Sequence, residues 1–312
     1  MNTSRRKAIQ AIGLSASSLA VPSLAAANLS ARGSKAIHIG LIADVHIGLS
    51  PNAEKRLSQF VGEMKKESPD AMIQLGDFAF PNKKHQAAPE IFKSAKIKNS
   101  LHTIGNHDLD FGLTTKDCLK AWGMPDRFYR YDLAGIRVLV LDCNDKGSPK
   151  YKGGYPAYVG KKQLDWLEKE LKLADRPLLI VSHQPLAGPA AIDNAPDVQK
   201  MLSRHADQIL LCINGHTHID KLVEKNGVRF LHVNSASYFW MGGKVRMAHY
   251  KDPLYTTLSI EPDKGRIVVQ GKKTEWVGKS PEEHGYFTSD KDRKDLRMQI
   301  TPQIRSRTIT KA

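Results

Sequence analysis

Five short apolar runs in this chain each end in a small cluster of carboxylate, amide or imidazole residues, and that arrangement constrains the fold more than any other feature. Ile37 to Ala43 leads into Asp44-Val45-His46, Met72 to Leu75 into Gly76-Asp77, and Leu101 to Ile104 into Gly105-Asn106-His107-Asp108. Further on, Leu178 to Val181 leads into Ser182-His183-Gln184-Pro185, and Ile209 to Ile213 into Asn214-Gly215-His216-Thr217-His218. Runs this short and this largely apolar read as buried strands, as does Ile136 to Leu141. Between them Ala53 to Glu67, Ala88 to Ala95, Lys116 to Trp122, Gln163 to Leu173 and Asp197 to His205 read as helices, clearest where Leu164, Leu167 and Leu171 repeat at i, i+3, i+7. Strands alternating with helices make an α/β architecture. In open α/β sheets ligands collect beyond the carboxyl ends of the strands, so the five clusters are expected to converge on one site.

The residue types indicate what such a site holds. Carboxylate, imidazole and amide oxygen without thiolate suit divalent first-row metals such as Mn, Fe(II), Co, Ni or Zn, with Mn, Fe and Zn foremost. Mg alone would want fewer histidines and Ca none. The seven candidates Asp44, His46, Asp77, Asn106, His183, His216 and His218 exceed what one ion needs, so two ions sharing a carboxylate is the economical count. Two metals about 3.5 to 4 Å apart can hold a hydroxide between them and clamp a phosphoryl group for in-line attack. Glycines before Asp77, Asn106 and His216 are expected to let the backbone turn tightly off each strand. Singly, each cluster also fits a turn or a hydrogen-bonded histidine; five in succession do not.

In these motifs and their order the chain resembles the calcineurin-like metallophosphoesterases: D-x-H, G-D, G-N-H-D, a single histidine and G-H-x-H, across residues 36–272. The resemblance implies a two-sheet mixed β-sandwich flanked by helices. It also implies a first metal on Asp44, His46, Asp77 and His218, and a second on Asp77, Asn106, His183 and His216. His107 would then sit over the phosphate and stabilise the transition state or protonate the leaving oxygen, with Asp108 orienting its ring. Purple acid phosphatases, a related branch, place glycine, tyrosine and glutamate where this chain has His46, Phe80 and Asp108. Lacking that phenolate, the enzyme is expected to be colourless, without an obligate ferric site. Many relatives carry an acid or amide at the position of Phe80, so the surroundings of Asp77 should differ here. The pattern is closer to the phosphodiesterase branch.

The remaining features are less specific. The 312 residues carry 47 Lys and Arg against 32 Asp and Glu, a net charge of +15 that favours an anionic partner. Three of those charges, Arg5, Arg6 and Lys7, head an apolar stretch ending in Ala25-Ala26-Ala27, the layout of an export signal over residues 1–27. The paired arginines point to the twin-arginine machinery, with a plain secretory signal as the alternative, and to an exported, periplasmic or extracellular protein. A linker over 28–35 precedes the catalytic domain, and a polar tail follows over 273–312, to drape over the domain or stay mobile. The serines and Pro22 break the leader's apolar run, so no transmembrane segment is expected. Three widely spaced cysteines form no metal or disulfide pattern and read as buried hydrophobes.

Candidate substrate contacts are Lys83 and Lys84 after the second motif, and Tyr238-Phe239-Trp240 after the last; the resemblance implies that Asn234 to Ser237, just before them, close the floor of the site. Of the histidines outside the motifs only His249 is kept as a site candidate. The sequence therefore reads as an exported phosphoester hydrolase acting on a small substrate, with diesters favoured. A phosphomonoesterase or nuclease of the same fold competes with it. No motif for sequence-specific nucleic-acid binding is present. A non-catalytic, basic periplasmic binding protein would predict missing ligands, whereas all seven positions and His107 are filled.

Overall fold

In a computed structural model, which describes residues 35–286 and 300–311, the apolar runs form two mixed six-stranded sheets. Strands β1 (Ile37–Ile42), β2 (Ala71–Gln74) and β3 (Asn99–His102) are parallel neighbours in the first sheet. The second sheet runs in the order β4 (Tyr129–Leu133), β5 (Ile136–Val140), β6 (Leu178–Val181), β7 (Ile209–Asn214), β9 (Val228–His232), β8 (Lys221–Lys225). A two-stranded ribbon, β10 (Tyr238–Gly242) and β11 (Arg246–His249), follows. The chain then returns to β1 and extends the first sheet antiparallel through β12 (Thr256–Glu261), β13 (Arg266–Val269) and β16 (Arg307–Thr310), with a short pair β14 (Lys272–Lys273) and β15 (Gln303–Ile304) beside them.

The period-2 alternation of side chains in a strand distributes the core into layers. Val138, Val140, Leu179 and Val181 share one core with Ile39, Leu41 and Ile73 of the other sheet. Their neighbours Leu139, Leu178 and Ile180 turn outward, where Leu167 and Leu171 of α4 (Lys161–Lys172) and Val198 and Leu202 of α5 (Ala195–Ser203) cover them. Each such buried aliphatic side chain stabilises the fold by roughly 1.5 to 3 kcal/mol. The helices α1 (Ala53–Glu67), α2 (Ala87–Lys93) and α3 (Thr115–Trp122) complete the set. Helix α3 starts on a capping box of Thr114 and Asp117. Helix α5 begins two residues before its expected start, because Pro196 is tolerated in the first turn, where its missing N–H has no helical partner to lose.

Two features differ from expectation. The tail is not an appendage: β16 pairs with β13 from Arg266↔Thr310 to Val269↔Arg307, and Arg305 Nε donates to buried Asp220 Oδ2 at 2.7 Å, with Arg307 on the same oxygen. A boundary after residue 272 therefore cuts through the first sheet. The ribbon and the β8–β9 hairpin were not foreseen, although Asn226-Gly227, both at positive φ, marks that hairpin's turn. All three cysteines are free and buried. No helix among the described residues is long and apolar enough to cross a membrane. The expected leader lies outside the described residues, as does all of the linker before residue 35.

Burial also makes a pH dependence. The His102 ring packs among Phe78, Phe92 and Trp122 with Nδ1 unpartnered, and burial pulls its pKa from 6.5 down to about 3. The unfolded chain protonates this ring first, so the stability it contributes is intact above pH 6.5 and is lost as pH falls toward 3. Each pH unit in that window costs about 1.4 kcal/mol. Between pH 7.5 and 5.0 the His102→Phe variant should lose roughly 2 kcal/mol less stability than wild type, read from urea midpoints. Equal losses would show that this ring does not set the slope.

Candidate metal centre

The strand-end clusters do converge. Asp44 and His46 follow β1, Asp77 follows β2, Asn106 and His107 follow β3, His183 follows β6, and His216 and His218 follow β7. Hydrogen bonds tie the two sheets together here. Across the sheets the His216 N–H donates to both Asp44 carboxylate oxygens at 3.1 Å, and within the first sheet the His46 N–H donates to Asp77 O at 2.8 Å. Beneath them Asn234, Ser235 and Ser237 are fully buried. Ser235 Oγ donates to Asp44 O at 3.0 Å and Ser237 Oγ to Val45 O at 2.8 Å, the floor expected for this segment.

The ligand atoms form two groups, Asp44–His46–His218 and Asp77–His183–His216, each gathered within 4.8 Å. In the first, His46 Nε2 lies 3.2 Å from His218 Nε2, which lies 3.2 Å from Asp44 Oδ1. In the second, His183 Nε2 lies 3.2 Å from Asp77 Oδ2, 3.2 Å from Asn106 Oδ1 and 3.3 Å from His216 Nδ1. Asp77 belongs to both neighbourhoods. Its Oδ1 accepts the His107 N–H at 2.8 Å, leaving Oδ2 to face His183 and also His46 Nε2 at 3.8 Å.

These donors fit metal cations. Lone-pair atoms from buried residues and the half-buried His216 converge with little between them but one another, an arrangement favoured by a cation at their centre. The His183 Nδ1–H donates to Leu75 O at 2.8 Å, which turns Nε2 inward toward the other ligand atoms. Burial holds His46 well below the ordinary imidazole pKa, and burial with the neighbouring His183 takes His216 down to about 3, leaving both neutral as ligation requires. Burial alone would lower His183 too, yet the Asp77 carboxylate lifts it to about 9, the mark of a site that draws positive charge.

The glycines act differently from expectation. Only Gly76 among the three has a positive φ, of 93°. All three instead make room for ligands. A Cβ on Gly76 would lie 2.4 Å from His183 Nδ1, one on Gly105 2.1 Å from Asp77 N, and one on Gly215 2.6 Å from Asp44 Oδ2. The left-handed conformations belong to the ligands themselves, since Asp44, His46, Asp77, His216 and His218 all have φ between 48° and 67°. Gly105→Ala is expected to keep the fold's circular dichroism but to hold less than one metal per chain after reconstitution, because its Cβ meets backbone rather than a movable side chain. Two metals per chain in that variant would contradict the close-approach account.

His107 stands beside the metal ligands, its ring 5.3 Å from that of His46, but Asp108 does not orient it. Asp108 is buried and accepts the N–H groups of Phe78 at 2.8 Å, Ala79 at 3.1 Å and Gly105 at 2.7 Å, so it pins the loop after β2 to the loop after β3. The residue on the ring is Asp110, whose Oδ2 accepts from His107 Nδ1 at 2.8 Å. Tyr155 donates to Asp110 Oδ1 at 2.9 Å and lies 3.0 Å from the same ring nitrogen. Burial and the Asp110 carboxylate push the Tyr155 phenol up, keeping it protonated. An acid at i+3 from His107 on a tight turn was a signal available in the sequence; Tyr155, from a distant loop, was not.

Around these groups lies a pocket of about 500 Å³, walled by Tyr155, Tyr238, Trp240, Arg246 and Met247. Tyr238 stacks on His46, ring centres 4.9 Å apart, and meets His218 edge-on. His249 packs against Tyr238 from behind and does not line the pocket. Lys83 lines a separate groove with Pro81, Asn82 and Trp122, and neither it nor Lys84 lines the metal pocket. Phe80 packs against His85 and Phe111, away from the ligands.

Fold and ligand set together define a dimetal-type phosphoesterase. Residues 37–220 match the calcineurin-like phosphoesterases, and the chain belongs to that family, as a metallophosphoesterase. Among curated proteins it is similar to a probable cyclic nucleotide phosphodiesterase from Synechococcus, 25% identical over 202 residues, spanning 58% of this chain and 73% of that protein. Among solved structures it is similar to a dimetal phosphatase from Danio rerio, with TM-score 0.55 and 17% identity over 77% of this chain and 98% of that one. It is likewise similar to the purple acid phosphatase PPD1 from yellow lupin (Lupinus luteus), with TM-score 0.51 and 14% identity over 76% of this chain and 51% of that one. At these identities the structural likeness is one of fold.

Proposed function

We propose that this protein is an exported phosphodiesterase that uses two divalent metal ions. The observation that carries the reading is the shared position of Asp77, whose Oδ2 faces His183 at 3.2 Å and His46 at 3.8 Å between two ligand groups. Asp44, His46, Asp77 and His218 would hold one ion, and Asp77, Asn106, His183 and His216 the other. When bound, such a pair supplies the Lewis acidity that activates water and withdraws charge from phosphoryl oxygens. The residues around it do the rest. Asp110 and Tyr155 hold His107 by Nδ1, so its Nε2, which has no partner among the described residues, serves the phosphoryl group or the departing oxygen. The floor of Asn234 to Ser237 holds the loop bearing Asp44 and His46 through the hydroxyls of Ser235 and Ser237.

Diester over monoester preference is supported by the Synechococcus relative, whose name is that of a cyclic nucleotide phosphodiesterase. Export is supported by the composition of residues 1–27. The test is a substrate panel on the metal-reconstituted protein: an aryl phosphodiester, an aryl phosphomonoester, cyclic nucleotides and single-stranded DNA. Diesters turned over faster than monoesters would support the reading. Dominant, steeply salt-dependent DNA cleavage would replace it with a nuclease. Export is tested by fractionating cells that express the Arg5→Lys, Arg6→Lys double variant, expected to stay in the cytoplasm while wild type leaves it.

A further inference from the structure

The ribbon of β10 and β11 carries side chains that neither metal binding nor His107 requires. Trp240 lies two residues after Tyr238 on the same face of β10, so it continues outward the wall that Tyr238 begins at His46. It is 48% exposed, a large aromatic surface left to water at the mouth of the site. Opposite Trp240 in the ribbon is Met247, and next to Met247 is Arg246. Adjacent residues of a regular strand point to opposite faces, yet Arg246 and Met247 both line the metal pocket. Two irregularities accompany this. The ladder slips between Trp240 and Gly242, a bulge that puts Gly242 opposite Arg246, and Arg246 has a left-handed φ of 62°. A left-handed arginine is costly, and such local strain gathers where a side chain must be aimed.

Arg246 is also the one permanent cation among the described residues lining this pocket, and its guanidinium has no carboxylate or hydrogen-bond partner among them. A guanidinium held in reserve beside a phosphoester site is suited to an anionic oxygen, which it can grip with two N–H groups. We infer that the β10–β11 ribbon is the substrate-recognition wall: Arg246 binds an anionic oxygen of the phosphoester and Trp240 stacks on a flat ring carried by it. The substrate class is then a nucleotide-sized phosphoester with an aromatic base. This rests on the phosphoester-hydrolase reading of the same site and adds the substrate's two recognised parts.

The test is calorimetric binding of adenosine 5′-monophosphate, ribose 5-phosphate and inorganic phosphate to the metal-loaded wild type, Arg246→Gln and Trp240→Leu proteins, each checked for two metals. Arg246→Gln is expected to weaken all three ligands roughly 10- to 100-fold, the loss of a charged hydrogen bond. Trp240→Leu is expected to weaken adenosine monophosphate roughly tenfold and leave ribose 5-phosphate unchanged. Unaltered phosphate affinity in Arg246→Gln, or equal losses for both sugar phosphates in Trp240→Leu, would overturn the inference. A wild type that binds the nucleotide through these residues but hydrolyses no phosphoester would sink the proposed function and leave the recognition wall standing. A competent hydrolase indifferent to both substitutions would do the reverse.

Discussion

Asp77→Asn is expected to abolish metal binding at both positions and to lower kcat/KM on an aryl phosphodiester by at least roughly 10³-fold, since metal stabilisation of the transition state amounts to several kcal/mol. The size of the effect follows from what each carboxylate oxygen does. Oδ1 accepts the His107 N–H, and Oδ2 faces His183 and His46. An asparagine that keeps the first bond must turn its NH2 group toward the ligand nitrogens, putting donors where a cation belongs. Metal content by elemental analysis reads this directly. Two metals per chain with the rate of wild type would refute the bridging role.

His107→Ala is expected to lower kcat by roughly 10² to 10⁴ while both metals stay bound, because His107 acts beside the ligands rather than among them. That pairing separates it from Asp77→Asn, in which metals and rate are lost together. Asp110→Asn should lose roughly 10- to 100-fold in rate, as the ring is no longer held by a carboxylate at 2.8 Å. Asp108→Asn should act first on stability, since one of its oxygens becomes a donor facing the backbone N–H groups of Phe78, Ala79 and Gly105. A rate loss in Asp108→Asn at unchanged stability, with Asp110→Asn active, would return the orienting role to Asp108.

The two carboxylates show where sequence reasoning succeeds and where it stops. The ligand-bearing loops were legible because buried strands write themselves as largely apolar runs, broken by single residues such as Gln74 or His102, and polar residues cluster where the strands end. Residues held by those runs, Asp44 or His183, fall where the pattern puts them. What orients His107 was not legible, because Asp108 and Asp110 differ only in the direction the chain takes over a tight turn, from φ −64°, ψ 160° at Asp110 to the left-handed Phe111. Tyr155 reaches the same ring from 48 residues away, on a loop without a periodic signal. The last strand was hidden for the opposite reason. Arg307–Thr310 lies on the sheet's edge, where Ile309 alone is buried, and edge strands are commonly dressed in polar and charged residues.

The left-handed loops bearing Asp44, His46, Asp77, His216 and His218 narrow what substitution can do at these positions. Outside glycine, aspartate, asparagine and histidine are the residues that most readily take up that backbone conformation. They are also residues that ligate hard and borderline metals through oxygen or imidazole. The vocabulary permitted by the peptide geometry and the vocabulary demanded by the ions therefore overlap almost completely. A β-branched residue at any of the five would be rejected twice, once for lacking a donor and once for the shape of its own Cβ. Drift at these sites can thus exchange one ligand type for another, or for glycine, far more readily than it can reach an ordinary hydrophobic residue.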